Sequence, residues 1–225
     1  MAPKPSAHSR PTLLALAALL LGACAVPTPP VLRRPDSAPG VPESVLNSVI
    51  VYGSANAMCS AVVVGPHQVM TARHCVEAVG DDPAAYTVAL DGTLRLPESV
   101  EVSPFEDMAL LTTGEPAFAR WAELGQAELP AGVEGWVAGY GCPLGSGVFE
   151  LAVRPVHYVR RQASLEPDLL IEDKWRGRIC HGDSGGGTFD DAGLLVGINY
   201  AMGTGEFNSG MMYTVPPRLG LEPSP

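Results

Sequence analysis

From Ser44 onward, no stretch of this chain can sustain a long amphipathic helix. Short β-branched and apolar runs alternate with turn residues: Val45–Tyr52, Ala61–Val64, Val69–Ala72, Tyr86–Leu90, Leu94–Val102 and Met108–Thr113. After a polar, Pro- and Gly-rich stretch around Gly114–Gly132, the pattern resumes in Trp136–Tyr140, Val148–Val159, Leu169–Glu172, Leu194–Tyr200 and Met211–Val215. Glycine reaches backbone angles closed to other residues and proline fixes one angle while removing a donor, so both punctuate strands. The chain holds 25 Gly and 22 Pro in 225 residues, enough to end each run after a few residues. Asp91-Gly92, between two such runs, is a hairpin signal. About a dozen short strands of this kind predict an all-β fold of two packed halves, with a cleft between them as the natural place for a site.

Three polar residues stand at the borders of these runs. Ser184 lies in Cys180-His181-Gly182-Asp183-Ser184-Gly185-Gly186. A serine hydroxyl needs a base to become a nucleophile, and small neighbours let a carbonyl approach and leave backbone N–H groups for an oxyanion. His74 ends an apolar run in Met70-Thr71-Ala72-Arg73-His74-Cys75, and Asp107 enters another in Phe105-Glu106-Asp107-Met108-Ala109-Leu110-Leu111. A neutral histidine can take the serine proton, and a carboxylate can orient it.

These three boxes, in the order His, Asp, Ser, resemble those of the trypsin-like (chymotrypsin-family) serine proteases over roughly Ser44 to Gly220. The resemblance implies two six-stranded antiparallel β-barrels with the active site between them. It implies a serine endopeptidase with His74 as base, Asp107 as its orienting acid and Ser184 as the acylated nucleophile. The N–H groups of Gly182 and Ser184 would form the oxyanion hole. No cofactor and no metal is called for, and the partner is a protein or peptide substrate met by a monomer. The disulfide Cys59–Cys75 is implied as well, and with it Cys142–Cys180, although no cysteine follows Cys180 as it does in vertebrate relatives. The alternative is a catalytically silent, protease-like surface-binding module.

Two departures from the family pattern stand out. No Ile-Val-Gly-Gly box precedes the domain to supply an ammonium for Asp183. Some bacterial relatives use an internal arginine there, and Arg73, Arg176 and Arg178 are the candidates. The pocket beside the serine is also altered: Arg178, Tyr200, Met202 and Met211 occupy its expected floor and walls.

Residues 1–23 read as an export signal. Lys4 and Arg10 precede the apolar core Thr12–Leu21, which is too short to span a membrane. It ends at Leu21-Gly22-Ala23-Cys24, similar to the lipobox of bacterial lipoproteins, so Cys24 is expected to carry lipid; an ordinary cleavage site is the other reading. The five cysteines, an odd count, fit the removal of Cys24 from disulfide pairing. Residues 24–43 hold six prolines and read as a tether to a protease domain at 44–221, placing the protein in the cell envelope or, without lipid, outside the cell. Without the signal, 12 basic residues face 24 acidic ones, a balance that argues against nucleic acid or an anionic membrane surface as a partner.

Overall fold

The computed structural model describes residues 31–35, 39–54, 57–80, 85–88, 92–126, 129–141, 148–161, 169–173, 180–202 and 211–217. Strand β1 (Val31–Arg33) is followed by helix α1 (Glu43–Ser48) and then by β2 (Val49–Gly53), β3 (Met58–Gly65) and β4 (Gln68–Thr71). Helix α2 (Arg73–Val79) leads to β5 (Tyr86–Val88), β6 (Leu94–Arg95), β7 (Pro97–Val102) and β8 (Ala109–Thr113). The second half contains β9 (Glu134–Gly139), β10 (Val148–Glu150), β11 (Ala152–Arg161), β12 (Leu169–Asp173), β13 (Gly187–Asp190), β14 (Leu195–Met202) and β15 (Met211–Val215).

The first half is one antiparallel sheet in the order β6-β5-β2-β3-β4-β8-β7. Its two outer strands are neighbours in sequence, separated only by Leu96. They act as one bent strand whose start pairs with β5 and whose end pairs with β8, so the sheet closes on itself. The second half is a closed barrel, β11-β12-β15-β14-β13-β9. The all-β, two-barrel expectation is met.

The strands of the first barrel are apolar on both faces for a reason. Ile50, Tyr52, Ala61, Val63, Val69 and Leu111 point into one buried cluster inside that barrel. Their alternates Val49, Val51, Val62, Met70 and Leu110 point the other way, into a cluster shared with Ala138, Tyr140, Phe189, Leu195, Ile198 and Val215 of the second half. With a period of two residues, a continuous apolar run buries both faces, one in its own barrel and one in the seam. Val137, Val156, Tyr158, Ile171 and Val196 fill the second barrel. Each large buried side chain contributes about 1.5–3 kcal/mol relative to exposure, so the shared cluster holds the halves together as well as filling each of them.

The structure differs from the sequence reading at several places, the run Val148–Val159 for one being split at Leu151 into β10 and β11. The run begun at Val45 is helical to Ser48, with β2 starting at Val49. Pro42 stands at the helix N-cap position, and its carbonyl accepts the N–H of Val45 at 3.1 Å. The Glu43 carboxylate accepts from the Asn47 side chain one turn on, at 2.7 Å. Gly187–Asp190 is a strand that the sequence reading did not include; it pairs with β9 and β14, which make up for the low strand preference of glycine. Finally, Val31–Arg33, within the stretch read as tether, lies parallel to Val148–Glu150, and the Leu151 N–H donates to the Arg33 carbonyl at 2.8 Å.

Candidate active site

His74 is the second residue of α2, three positions beyond β4. In the ladder between β4 and β8, Thr71 lies opposite Ala109, which brings Asp107, two positions before β8, alongside His74. A short turn presents Asp107. The Ser103 hydroxyl accepts the N–H groups of Phe105 and Glu106 at 3.3 and 3.2 Å, and the Met108 carbonyl accepts the Ser103 N–H at 2.9 Å. Both carboxylate oxygens of Asp107 meet the histidine: Oδ1 accepts the His74 backbone N–H at 2.9 Å, and Oδ2 lies 2.8 Å from Nδ1. An ionised carboxylate only accepts, so Nδ1 carries the proton and Nε2 keeps its lone pair.

The same pair sets the ionisation. The hydrogen bond to Asp107 raises the pKa of His74 above the ordinary histidine value, against a smaller opposing effect of burial. For Asp107, burial pushes upward, but the bonds from the His74 ring and backbone, together with the nearby charges of His74 and Arg73, hold the carboxyl below its usual range.

Ser184 sits in the turn before β13. The N–H groups of this run have definite destinations. Asp183 donates to Cys180 at 3.1 Å, Gly185 to Asn199 at 2.6 Å and Gly186 to Asp183 at 3.0 Å. Those of Gly182 and Ser184 meet no acceptor among the described residues. The turn is pressed onto the first barrel. A Cβ on Gly185 would collide with the Ser60 carbonyl and the Thr71 hydroxyl, so only glycine, here at φ +79°, permits this approach next to His74. Among the described residues no group hydrogen-bonds to Ser184 Oγ, and such contacts often tighten only when substrate arrives.

The Asp183 side chain is fully buried. Its Oδ1 accepts the Gly141 N–H at 3.0 Å, and its Oδ2 accepts the Cys180 N–H at 2.9 Å and the Arg154 guanidinium at 2.6 Å. Arg154, itself buried, comes from β11, where it lies opposite Val137 of β9. The internal arginine is therefore Arg154, which the sequence reading did not name. Arg73 turns elsewhere, to the Ser103 carbonyl at 3.3 Å and to Glu77 at 3.5 Å. Arg176 and Arg178 lie outside the described residues. A buried carboxylate demands a cation, and any arginine on an inward strand position meets that need, so motif spacing alone did not point to Arg154.

Cys59 and Cys75 are bonded, S–S 2.06 Å, as expected. Cys180 is also disulfide-bonded, while Cys142 lies outside the described residues. Ligand atoms of Cys59, His74 and Cys75 lie within 4.8 Å of one another, yet both sulfurs are consumed by the disulfide and offer no thiolate to a metal. Tyr200 is half-buried and touches both the seam and the core of the first barrel. Met202 packs against the core of the second barrel, and Met211 begins β15.

The trypsin family's sequence model matches residues 39–215. Two curated relatives from Corynebacterium glutamicum, an uncharacterised peptidase and a putative peptidase, are each 28% identical over 159 residues. That stretch covers 68% of this chain and 56% of each relative, so the chain spans little more than half their length. Among solved structures, the serine endoprotease from Yersinia pestis has a TM-score of 0.64 at 17% identity, covering 81% of this chain and 63% of that one. The HtrA-type protease AlgW with a tripeptide gives 0.62 at 21%, covering 77% and 57%. The inactive form of the Rv3671c protease gives 0.60 at 18%, covering 79% and 87%. At these identities the structures report the fold.

Removing Arg154 leaves the Asp183 charge buried without its cation. Arg154→Met is expected to lower unfolding stability by about 3–5 kcal/mol in denaturant titrations, and adding Asp183→Asn to recover part of that loss.

Proposed function

Because the chain belongs to the trypsin family, we propose that it is an exported serine endopeptidase acting through an acyl-enzyme on Ser184. The observation that carries this reading is the two-point grip of Asp107 on His74, which leaves the Nε2 lone pair as the basic site of the ring. His74 Nε2 takes the proton as Ser184 Oγ bonds to the substrate carbonyl carbon. The N–H groups of Gly182 and Ser184 hold the oxyanion, each worth about 2.7–4 kcal/mol in the transition state. The C–N bond then breaks, and His74 gives its proton to the departing amine. Water repeats the sequence, with His74 as base, and frees Ser184. Asp107 remains ionised and steadies the imidazolium throughout. AlgW has been solved with bound peptides, which supports a peptide as the substrate here.

In this reading, Arg154 takes the place of a freed N-terminal ammonium at Asp183. The oxyanion loop is thus ordered in the unclipped chain. The signal at 1–23, the lipid on Cys24 and a protease domain from residue 44 belong to the same proposal, with the protein held at a bacterial membrane as a monomer.

The departures of the sequence from the family pattern, at the N-terminal box and at the expected pocket positions, and a Ser184 Oγ with no hydrogen bond among the described residues, favour the rival reading of a silent binding module. A fluorophosphonate probe decides between them. The protein with its domain N-terminus uncut is expected to be labelled, and Ser184→Ala to lose the label; a folded wild type that stays unlabelled sinks the enzyme reading. Labelling only after proteolytic trimming would remove Arg154 from its assigned role.

The acid limb of the pH–rate profile reports His74, which must be neutral to act. Since Asp107 raises the His74 pKa, the midpoint is expected above the ordinary histidine value of about 6.5, with activity lost as pH falls through it. Asp107→Asn should move the limb to lower pH while cutting the plateau by about 10⁴. For the anchor, radiolabelled palmitate fed to expressing cells should enter the wild type and not Cys24→Ala; equal incorporation in both would refute lipidation at Cys24.

A further inference from the structure

Ser60 is an unremarked residue of β3, one position after Cys59, and its side chain is fully buried. Its backbone N–H is shared between the carbonyls of Gly182, at 3.1 Å, and Ser184, at 2.9 Å. Its hydroxyl adds a stronger contact, donating to the Gly182 carbonyl at 2.6 Å. The direction of that donation is forced. The Tyr140 N–H, just beyond β9, already donates to Ser60 Oγ at 2.7 Å, so the hydroxyl proton is left to face Gly182. On the other side, the Ser60 carbonyl accepts the Thr71 hydroxyl at 2.9 Å.

These contacts sit at the meeting of two mechanical lines. Cys59 is tied to Cys75, the neighbour of His74. Gly182 is one of the two residues whose N–H groups find no acceptor among the described residues. It also lies at φ +99°, a conformation glycine can leave easily. Asp183 fixes the loop by its side chain, but nothing in the Arg154 pair restrains the Gly182 carbonyl itself. The two donors of Ser60 do. Together with the Ser60 N–H bond to the Ser184 carbonyl, this ties both residues that carry the unaccepted N–H groups at their carbonyl ends and so limits movement of that part of the loop.

We propose that Ser60 is a positioning residue: its hydroxyl locks the Gly182 carbonyl, and so the oxyanion-binding N–H groups, to the barrel that carries His74. This rests on the reading of Ser184 as an acylated nucleophile. The hydroxyl touches no reacting atom; it acts through Gly182. Its loss therefore impairs stabilisation of the oxyanion while the His74–Asp107 pair is left intact.

The experiment compares wild type, Ser60→Ala and Ser60→Cys, the last of similar size with a weaker donor. Two rates are measured across pH: the second-order rate of fluorophosphonate labelling at Ser184, and p-nitrophenyl acetate hydrolysis per titrated active site. Expected is a plateau about ten-fold or more lower in Ser60→Ala, an intermediate loss in Ser60→Cys and an unmoved pH midpoint. Counting only titrated sites removes the effect of partial unfolding. If Ser60→Ala does not fold, the Ser60→Cys plateau decides. An active wild type whose variants keep its plateau overturns the positioning role alone, as does a plateau loss accompanied by a shifted midpoint. A folded wild type that neither labels nor hydrolyses overturns the enzyme reading, and this role with it.

Discussion

A fully buried carboxylate governs the architecture of the site. Asp183 is removed from water, and a charge in that position is tolerated only with a counter-charge and hydrogen bonds on its free lone pairs. Arg154 supplies the first, and the N–H groups of Gly141 and Cys180 the second. The requirement radiates outward. A Cβ on Gly139 or Gly141 would strike the Asp183 side chain or its Cα, so the end of β9 must be bare there. Next to Asp183, the Ser184 carbonyl accepts the Ser60 N–H of the first barrel at 2.9 Å, and Gly185 allows the close contact there.

Much of this was legible in the sequence because it is local. Strand runs announce themselves by β-branched residues between turns, and His74, Asp107 and Ser184 sit in short boxes whose flanking residues set their backbone. What was not legible is long-range. Arg154 lies 29 residues from Asp183 and is chosen by strand register, in which it faces Val137 inside the second barrel. Ser60 lies 122 residues from Gly182, and a serine inside an apolar strand carries no sign of its partner. Local energy was also outweighed in places. Val45 prefers a strand by type but lies in a helical turn begun at Pro42, and Gly187 is held in a strand by two neighbours.

The seam between the barrels has two characters. Most of it is an apolar cluster to which both halves contribute, strong and without direction. At the active-site end, hydrogen bonds replace it: Ser60 to Gly182 and Ser184, and Tyr140 to Ser60. Apolar contact supplies the adhesion, and the polar end supplies the register. The proposed mechanism requires His74 on one barrel to meet Ser184 on the other within a fraction of an ångström, and a directional bond fixes distances that a greasy surface leaves loose.

The pairing of β1 with β10 has a consequence for the proposed anchoring. Val31–Arg33 is laid against Val148–Glu150 on the domain itself, so under the proposed lipidation of Cys24 only the steps from residue 24 to residue 31 would separate the lipid from the folded domain. Seven peptide steps, at most about 3.6 Å each, reach roughly 25 Å. Held so short, the domain would sweep a thin layer above the bilayer. Substrates lodged in the same membrane would meet it by a two-dimensional search at high effective concentration, while freely diffusing chains would gain nothing from the anchor.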